Sequence, residues 1–327
     1  MISKPIRSPL RTRRGSRCKN DSAMSRKRIV IAGGSGFIGS ALAGELLARE
    51  YEAVVLTRTP HGRTDGVREM EWDGANEGEW VNCLDGAAAV VNLAGKNINC
   101  PHTPENLREL AGSRVNSVRA IAGALGRVKN PPRVWVQAGA IGFYGGHREG
   151  ICDENSAPGD DALAEVCKQW EGAFNAADAP GTRKVLLRIG FVLGRDGGAL
   201  PVLAKLTKCF LGGAAGTGRQ FISWIHLADL TRMFLDAIER DTLSGTFNAV
   251  APNPVTNTEF MRELRHTLHR PWSPPAPVWA VKLGARWMNS EPSLALAGCR
   301  ATPRRLLEAG FQFRFPELPG ALKNIFD

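Results

Sequence analysis

Residues 29–39 run Ile-Val-Ile-Ala-Gly-Gly-Ser-Gly-Phe-Ile-Gly, an apolar segment that opens into Gly33-x-x-Gly36-x-x-Gly39. Each glycine of that spacing has a task of its own. One makes a tight turn, one lets the backbone approach a pyrophosphate, and one lets the following helix pack closely on its sheet. Phosphates would then rest on free N–H groups at the positive end of that helix. A turn without a ligand can share the spacing, so the flanks decide. Arg28–Ala32 has the texture of a buried strand, and 37–49 places Ile38, Leu42 and Leu46 at helical intervals, the order a dinucleotide site requires. A second strand at 53–57 ends in Thr57-Arg58, nineteen residues beyond Gly39. Sites that read a free ribose 2′-hydroxyl place Asp or Glu at that point. An acid would repel a 2′-phosphate, whereas Arg58 offers it a planar, bidentate cation, with Arg63 as a helper from the loop. The alternative for Arg58 is a solvated surface arginine. The pattern predicts NADP(H) rather than NAD.

Other chemistries find less support. Seven cysteines (18, 83, 100, 152, 167, 209 and 299) are scattered without a Cys-x-x-Cys pair, and His266 and His269 lack a nearby cysteine or carboxylate cluster. Neither a metal site nor a disulfide framework follows, and a reducing, cytoplasmic compartment is expected. The loop Gly212–Gly218 comes close to a phosphate-binding loop, but Arg219-Gln220 stands where Lys and Ser/Thr are needed, and no strand precedes it. We expect a flexible substrate-side loop there. Lys282 and Arg286 interrupt the best apolar run, so no membrane span is expected.

The elements that must position these residues follow from periodicity. Strands are predicted at 28–32, 53–57, 67–72, 88–93, 132–138 and 184–189, with helices near 37–49, 104–127 and 161–178. Such alternation implies an α/β fold, a doubly wound parallel sheet covered on both faces. Ligands of these sheets bind at the carboxyl ends of the strands. That places Thr57-Arg58, Trp72-Asp73, Asn92–Gly95 and Ala138–Gly145 at the site. After residue 190 glycine and proline rise, and Pro271–Pro277, with four prolines in seven residues, has the texture of a linker. A short helical piece at 278–289 and a compact ending at 304–315 complete a smaller C-terminal, substrate-side region. The division expected is a basic extension over 1–27, a dinucleotide-binding domain over 28–270 and a C-terminal segment over 271–327.

The net charge of +10 is concentrated at one end. Residues 1–28 hold ten basic residues against Asp21 alone, which leaves the other 299 residues nearly neutral. A nucleic-acid-binding domain would carry its basic footprint on the folded body, so nucleic acid is not the expected partner. The extension is Arg- and Ser-rich without apolar periodicity and is expected to be disordered. It lacks the apolar core of a secretory signal. It is open to reading as an organellar transit peptide, or as residues upstream of a start at Met24, which we prefer.

With these residues in hand, the chain resembles the extended short-chain dehydrogenase/reductases, and within them the atypical branch called epimerase family 39U, whose members end in a DUF1731 segment. The matching stretches include Gly33–Gly39, Val91-Asn-Leu-Ala-Gly95, Ser113-Arg114-Val115, Gly142-Phe-Tyr-Gly145, Leu163–Glu171, Ser223–Leu230, Ala251–Phe260 and Gly310–Phe313. The resemblance implies a Rossmann-type core binding NADP(H) and a smaller C-terminal region over a substrate cleft. On matching positions, Gly33, Ser35, Gly36, Phe37, Ile38 and Gly39 would hold the pyrophosphate and Arg58 the 2′-phosphate. Asp73 would lie near the adenine, and Leu93, Ala94 and Gly95 would pass beneath the ribose and nicotinamide. His226 and Asp229 would shape the fold beside the cleft.

The proton chemistry departs from the superfamily, which uses a Tyr-x-x-x-Lys pair on one helix turn so that the ammonium lowers the phenol's pKa. Only two tyrosines exist: Tyr51 is followed at +4 by Val55, and Tyr144 by Arg148. The helix that should carry the pair holds Leu163, Cys167 and Glu171 instead. Val136-Gln-Ala-Gly-Ala140 also lacks the serines that would bind a substrate carbonyl. The remaining catalytic candidates are Tyr144 and Cys167, with Gln137 a weaker donor. Against them stand a loop tyrosine over the cofactor and a small buried hydrophobe. Asp153 and Glu154 are either bases beside the cleft or a solvated acidic turn. The expectation is an NADP(H)-dependent oxidoreductase or epimerase-like protein acting on a small polar or sugar-like substrate. The alternative is an NADPH-sensing regulator or scaffold, for example in cell division, without turnover.

Overall fold

The computed structural model describes Met1 and residues 26–146 and 150–327. Apart from Met1, Arg26 and Lys27, the extension expected over 1–27 lies outside the described residues. Seven parallel strands form the central sheet. They are β1 (Arg28–Ala32), β2 (Glu52–Thr57), β3 (Arg68–Glu71), β4 (Ala89–Asn92), β5 (Val134–Ala140), β6 (Arg183–Ile189) and β7 (Gly245–Ala249). Their order is β7-β6-β5-β4-β1-β2-β3. Val30 pairs with Val54 of β2 on one side and Val90 of β4 on the other, so the chain reverses direction across the sheet at β1. Ligands of doubly wound sheets bind at that reversal.

The pleat sends alternate residues to opposite faces. Ile29, Ile31 and Val55 face a core shared with α1 (Phe37–Ala48) and α5 (Leu227–Glu239). Val30, Val54 and Val90 face a second core with α2 (Pro104–Leu125) and α3 (Ala162–Ala176), where Trp135 meets Phe174 edge-on at 4.9 Å. The sheet is therefore buried on both faces, as its apolar strands require.

The second half is more ordered than its composition suggests. It contains α4 (Leu200–Lys208), α6 (Asn257–Thr267), α7 (Val278–Trp287), α8 (Ser293–Leu296), α9 (Arg304–Glu308) and α10 (Leu318–Phe326). Phe260 and Leu264 of α6 share a third core with Leu318, Leu322 and Ile325 of α10. A reciprocal cap starts α6: Thr256 accepts from the Glu259 N–H, and the Glu259 carboxylate accepts from the Thr256 N–H. The proline-rich stretch is a strap, not a free tether. Ala276 N–H donates to Ala214 O at 2.8 Å, and Gly216 N–H donates back to Ala276 O at 2.8 Å. The 212–218 loop is thereby tied down, and the Asn257 side chain accepts from Ala215 N–H.

Among the described residues no helix is long and apolar enough to cross a membrane, and no group of three or more His, Cys, Asp or Glu is placed to hold a metal ion.

Candidate functional site

The glycine turn joins β1 to α1 at the carboxyl edge of the sheet. Gly33 has φ 72°, and a Cβ there would fall 2.8 Å from Ala94 Cα, so the turn packs directly on the residues that leave β4. A Cβ on Gly39 would lie 2.5 Å from Gly34 Cα, which holds the first turn of α1 against the loop. Gly36 differs from both. A Cβ there would meet only Gly33 O, at an ordinary 3.5 Å. The described residues leave that space open, and Gly36 caps α1 without any side-chain hydrogen bond or acidic residue in the first turn. The open position and the free N–H groups together fit a pyrophosphate.

Ser35 is anchored from β2 by the Thr57 hydroxyl, which donates to Ser35 Oγ at 3.2 Å. Phe37 turns away from the helix end, and its ring fills the hollow of the turn 194–198, where a Cβ at Gly194 or Gly197 would collide with it. Ile38 is half-buried against the β1–β2 core. Arg58 is exposed one residue past β2 and forms no ion pair among the described residues. Arg63 is committed elsewhere: its guanidinium holds both oxygens of Asp65 and keeps that carboxyl low, at about 2. Asp73, just after β3, accepts from the N–H groups of Ala75 and Asn76 at 2.8 Å, which fixes the turn at the edge of the sheet.

Farther along the same edge of the sheet, Asn92 organises the exit from β4. Its amide donates to Ser117 Oγ and Gln137 Oε1, and its oxygen accepts from Ala94 N–H at 3.0 Å. Leu93, Ala94 and Gly95 are thereby held in place from beneath. Gln137 is fully buried, and its amide nitrogen donates to Ala138 O at 2.8 Å.

Tyr144 and Cys167 also lie inside. The Tyr144 hydroxyl donates to Asn248 Oδ1 at 2.7 Å and accepts from Arg188 Nη1 at 2.9 Å. Arg188 in turn grips both oxygens of the buried Glu171 at 2.9 and 2.8 Å. Burial pushes the Tyr144 phenol up to about 12 despite the cation beside it. Burial, with Glu171 adding to it, pushes the Cys167 thiol up to about 12. At neutral pH both groups keep their protons, and the phenol's donor is already used.

Comparison with known proteins places this architecture. The model of the NAD dependent epimerase/dehydratase family matches residues 29–249, and that of a domain of unknown function, DUF1731, matches 276–325. The chain belongs to the NAD dependent epimerase/dehydratase family. It is 37% identical to the chloroplastic epimerase family protein SDR39U1 homolog of Arabidopsis thaliana, over 92% of this chain and 87% of that one. The crystal structure of human epimerase family protein SDR39U1 (isoform2) with NADPH superposes with a TM-score of 0.81 at 34% identity, covering 91% of this chain and 98% of that one. A nucleoside-diphosphate sugar epimerase from Corynebacterium glutamicum gives a TM-score of 0.74 at 33% identity, over 92% of this chain and 58% of that one.

Within this epimerase-family fold, the acidic loop has a structural task. Asp153 pairs with Arg304 at 3.1 Å, and that hydrogen bond holds its carboxyl below the usual range. Glu154 Oε1 accepts from Asn248 N–H, and both its oxygens accept from Arg305 N–H. Residues 300–301 pair in parallel with 151–152, so the loop clasps the C-terminal segment to the sheet. His226 caps α5, its Nδ1 accepting from Ala228 N–H at 3.0 Å. The buried Asp229 accepts from the N–H groups of Arg314 and Phe315 at 2.9 Å. His226 thus fixes the start of α5, and Asp229 ties that helix to residues 314–315.

Sequence reasoning missed Asn248, Arg188 and the 194–198 turn. The cluster Gly194-Arg-Asp-Gly-Gly198 was a visible signal for the last. Nothing local marked Asn248, whose partners lie 104 and 54 positions away.

Proposed function

We propose that this chain binds NADP(H) across the glycine turn and acts as an oxidoreductase or epimerase-like protein on a small polar or sugar-like substrate, without a Tyr-x-x-x-Lys pair. The observation that carries the reading is the space at Gly36, which no described residue fills, with Arg58, free of any ion pair among the described residues, at the end of the adjoining strand. The human relative crystallised with NADPH supports it. The backbone of Gly33, Ser35, Gly36, Phe37, Ile38 and Gly39 would bind the pyrophosphate, and Thr57 and Arg58 the adenosine ribose phosphate. Asp73 would border the adenine, while Leu93, Ala94 and Gly95 would support the nicotinamide half. When bound, the cofactor supplies or accepts a hydride. The chain's own part is to orient it and keep water out; positioning of this kind can remove several kcal/mol of a barrier.

Tyr144 and Cys167 enter this reading as positioning residues. Tyr144 holds the 141–145 turn to β7 through Asn248, and Cys167 packs α3 against that turn near Gly142. Because the Tyr144 donor is already spent on Asn248 and the Cys167 thiol is buried, a second reading has its own support: an NADPH-binding regulator without turnover.

One experiment separates them. Purified protein is mixed with NADPH and a panel of aldehydes, ketones and nucleotide sugars, and loss of NADPH absorbance is followed. Turnover that disappears in Gly36→Val supports the enzyme. Saturable NADPH binding with no turnover across the panel supports the regulator. Arg58→Asp tests the cofactor: losing one or two charge-assisted hydrogen bonds costs about 1.5–3 kcal/mol each, so NADPH affinity should fall at least tenfold while NADH affinity holds. Equal affinity of the wild type for both cofactors would refute the assignment of Arg58.

A further inference from the structure

Arg114 lies midway along α2, with its guanidinium over the loop that leaves β4. A Cβ on Gly95 would come within 3.1 Å of Arg114 Cγ and Cζ and 3.3 Å of Nε. On its other side the guanidinium stands 5.1 Å from the centre of the Trp170 ring on α3. The cation is thus held between the loop beneath the proposed nicotinamide half and the helix that lacks the Tyr-x-x-x-Lys pair. Of its five N–H donors, one is spent, Nη1 donating to Leu110 O at 3.0 Å.

No carboxylate answers this charge among the described residues. Three other cations of these elements are matched: Lys96 with Glu109, Lys168 with Glu165 and Arg188 with Glu171. The ionisable neighbours of Arg114 are the Cys100 and Cys167 thiols, and Cys167 stays protonated. Burial works against the guanidinium's charge. A half-buried cation with spare donors is costly unless an acceptor completes it. The pyrophosphate is assigned above to a different place, the Gly33–Gly39 turn, which packs on Ala94, whereas Arg114 packs on Gly95.

We propose that Arg114 anchors an anionic group of the substrate, a carboxylate or a phosphate ester, beside Gly95 at the end of β4. The proposal rests on the cofactor reading above only for what lies next to that anion. Arg114 presents a planar fork, the geometry that suits two oxygens of one oxyanion. The substrate is then narrowed from polar to acidic, with its anion fixed at the α2–α3 side of the cleft.

The test titrates the protein, with and without NADPH, with inorganic phosphate and separately with acetate, at ionic strength held constant with chloride. Binding is read from 31P or 13C line widths. Arg114→Gln and Arg114→Lys are compared, and thermal melting shows that each folds. We expect saturable binding of at least one of the two anions by the wild type. It should weaken tenfold or more in Arg114→Gln and in part return in Arg114→Lys, with NADPH affinity unchanged in both. Preference between phosphate and acetate identifies the anion. The proposal is overturned if the wild type binds neither anion, if Arg114→Gln binds them as well as the wild type does, or if Arg114→Gln loses NADPH affinity in step with the anion. If the wild type fails to bind NADPH, the cofactor reading falls, and the anion titration without NADPH still decides Arg114 by the same comparisons.

Discussion

Gly36 and Gly39 are three residues apart, and an added side chain should injure them in opposite ways. A side chain at Gly39 has no room, since its Cβ would stand 2.5 Å from Gly34 Cα. Gly39→Ala must push the helix off the loop, and overpacking of this kind costs about 1–3 kcal/mol. At Gly36 the Cβ meets only a 3.5 Å contact, so Gly36→Val should melt near the wild-type temperature and yet lose NADPH affinity a hundredfold or more. Thermal melting and NADPH titration on the two variants check this crossing of effects. Cys167 gives a sharper test of chemistry. With its thiol pushed up to about 12, the thiolate stays scarce throughout pH 7–9. Cys167 should therefore resist iodoacetamide in the folded protein and react on unfolding, as peptide mass spectrometry would show. Labelling of the folded protein at pH 8 at the rate of an exposed cysteine would restore Cys167 as a catalytic candidate. Tyr144→Phe, by contrast, leaves Asn248 and Arg188 each short of a partner in a buried site. It should destabilise by about 1–3 kcal/mol with little change in NADPH affinity, as denaturant unfolding and titration would measure.

Among the elements, α5 begins on a residue that titrates. His226 caps it through an unprotonated Nδ1, and burial lowers the imidazole's pKa below its ordinary 6.5. In acid the unfolded chain takes up this proton before the folded chain does, so stability rises with pH across that interval. The contribution is complete above the ordinary imidazole value and is lost as pH falls from there through the depressed folded value. His226→Asn keeps a capping oxygen without the titration. The variant should flatten the loss of stability below pH 6.5, which denaturant melts across that range would reveal. Elements also divide by how well the sequence disclosed them. The β1–turn–α1 unit was legible because its glycines and its apolar run answer to local geometry. Strand β7 was not: Gly245-Thr-Phe-Asn-Ala249 has Asn248 where a strand would show a hydrophobe, and that residue serves Tyr144 and Thr302. The Pro271–Pro277 stretch and the 212–218 glycines suggested freedom, which two mutual backbone hydrogen bonds remove. Asp153 faced two local readings, cleft base or solvated turn, while its actual partner, Arg304, lies 151 positions away. Arg114 stood inside a recognised motif, but its missing carboxylate is visible only in three dimensions.

The molecule as a whole connects its last helix to its first turn. Leu318, Leu322 and Ile325 of α10 are buried against α6, and three such side chains contribute about 5–9 kcal/mol at roughly 1.5–3 kcal/mol each. That is comparable with the entire margin of an ordinary domain, about 5–15 kcal/mol. Removing residues 318–327 should therefore unfold the 191–270 region as well, rather than trim a dispensable end. A finer wire runs through Arg195, whose guanidinium donates to Ile325 O from Nε at 2.7 Å and from Nη2. Arg195 sits in the 194–198 turn, the turn that encloses the ring of Phe37. Phe37 opens α1, whose N-terminus forms the proposed phosphate cradle. Arg195→Met removes two hydrogen bonds to that carbonyl while keeping most of the side-chain bulk, and it touches no part of the cofactor site directly. The turn should loosen and the cradle lose part of its preorganisation, so that NADPH binds about 3- to 10-fold more weakly, at a cost of about 1 kcal/mol, the size of one net hydrogen bond. Hydrogen exchange should rise at 194–198 and 35–39 together. If exchange rises at 194–198 alone and NADPH affinity is unchanged, the C-terminal helix and the glycine turn are neighbours in the fold without being coupled.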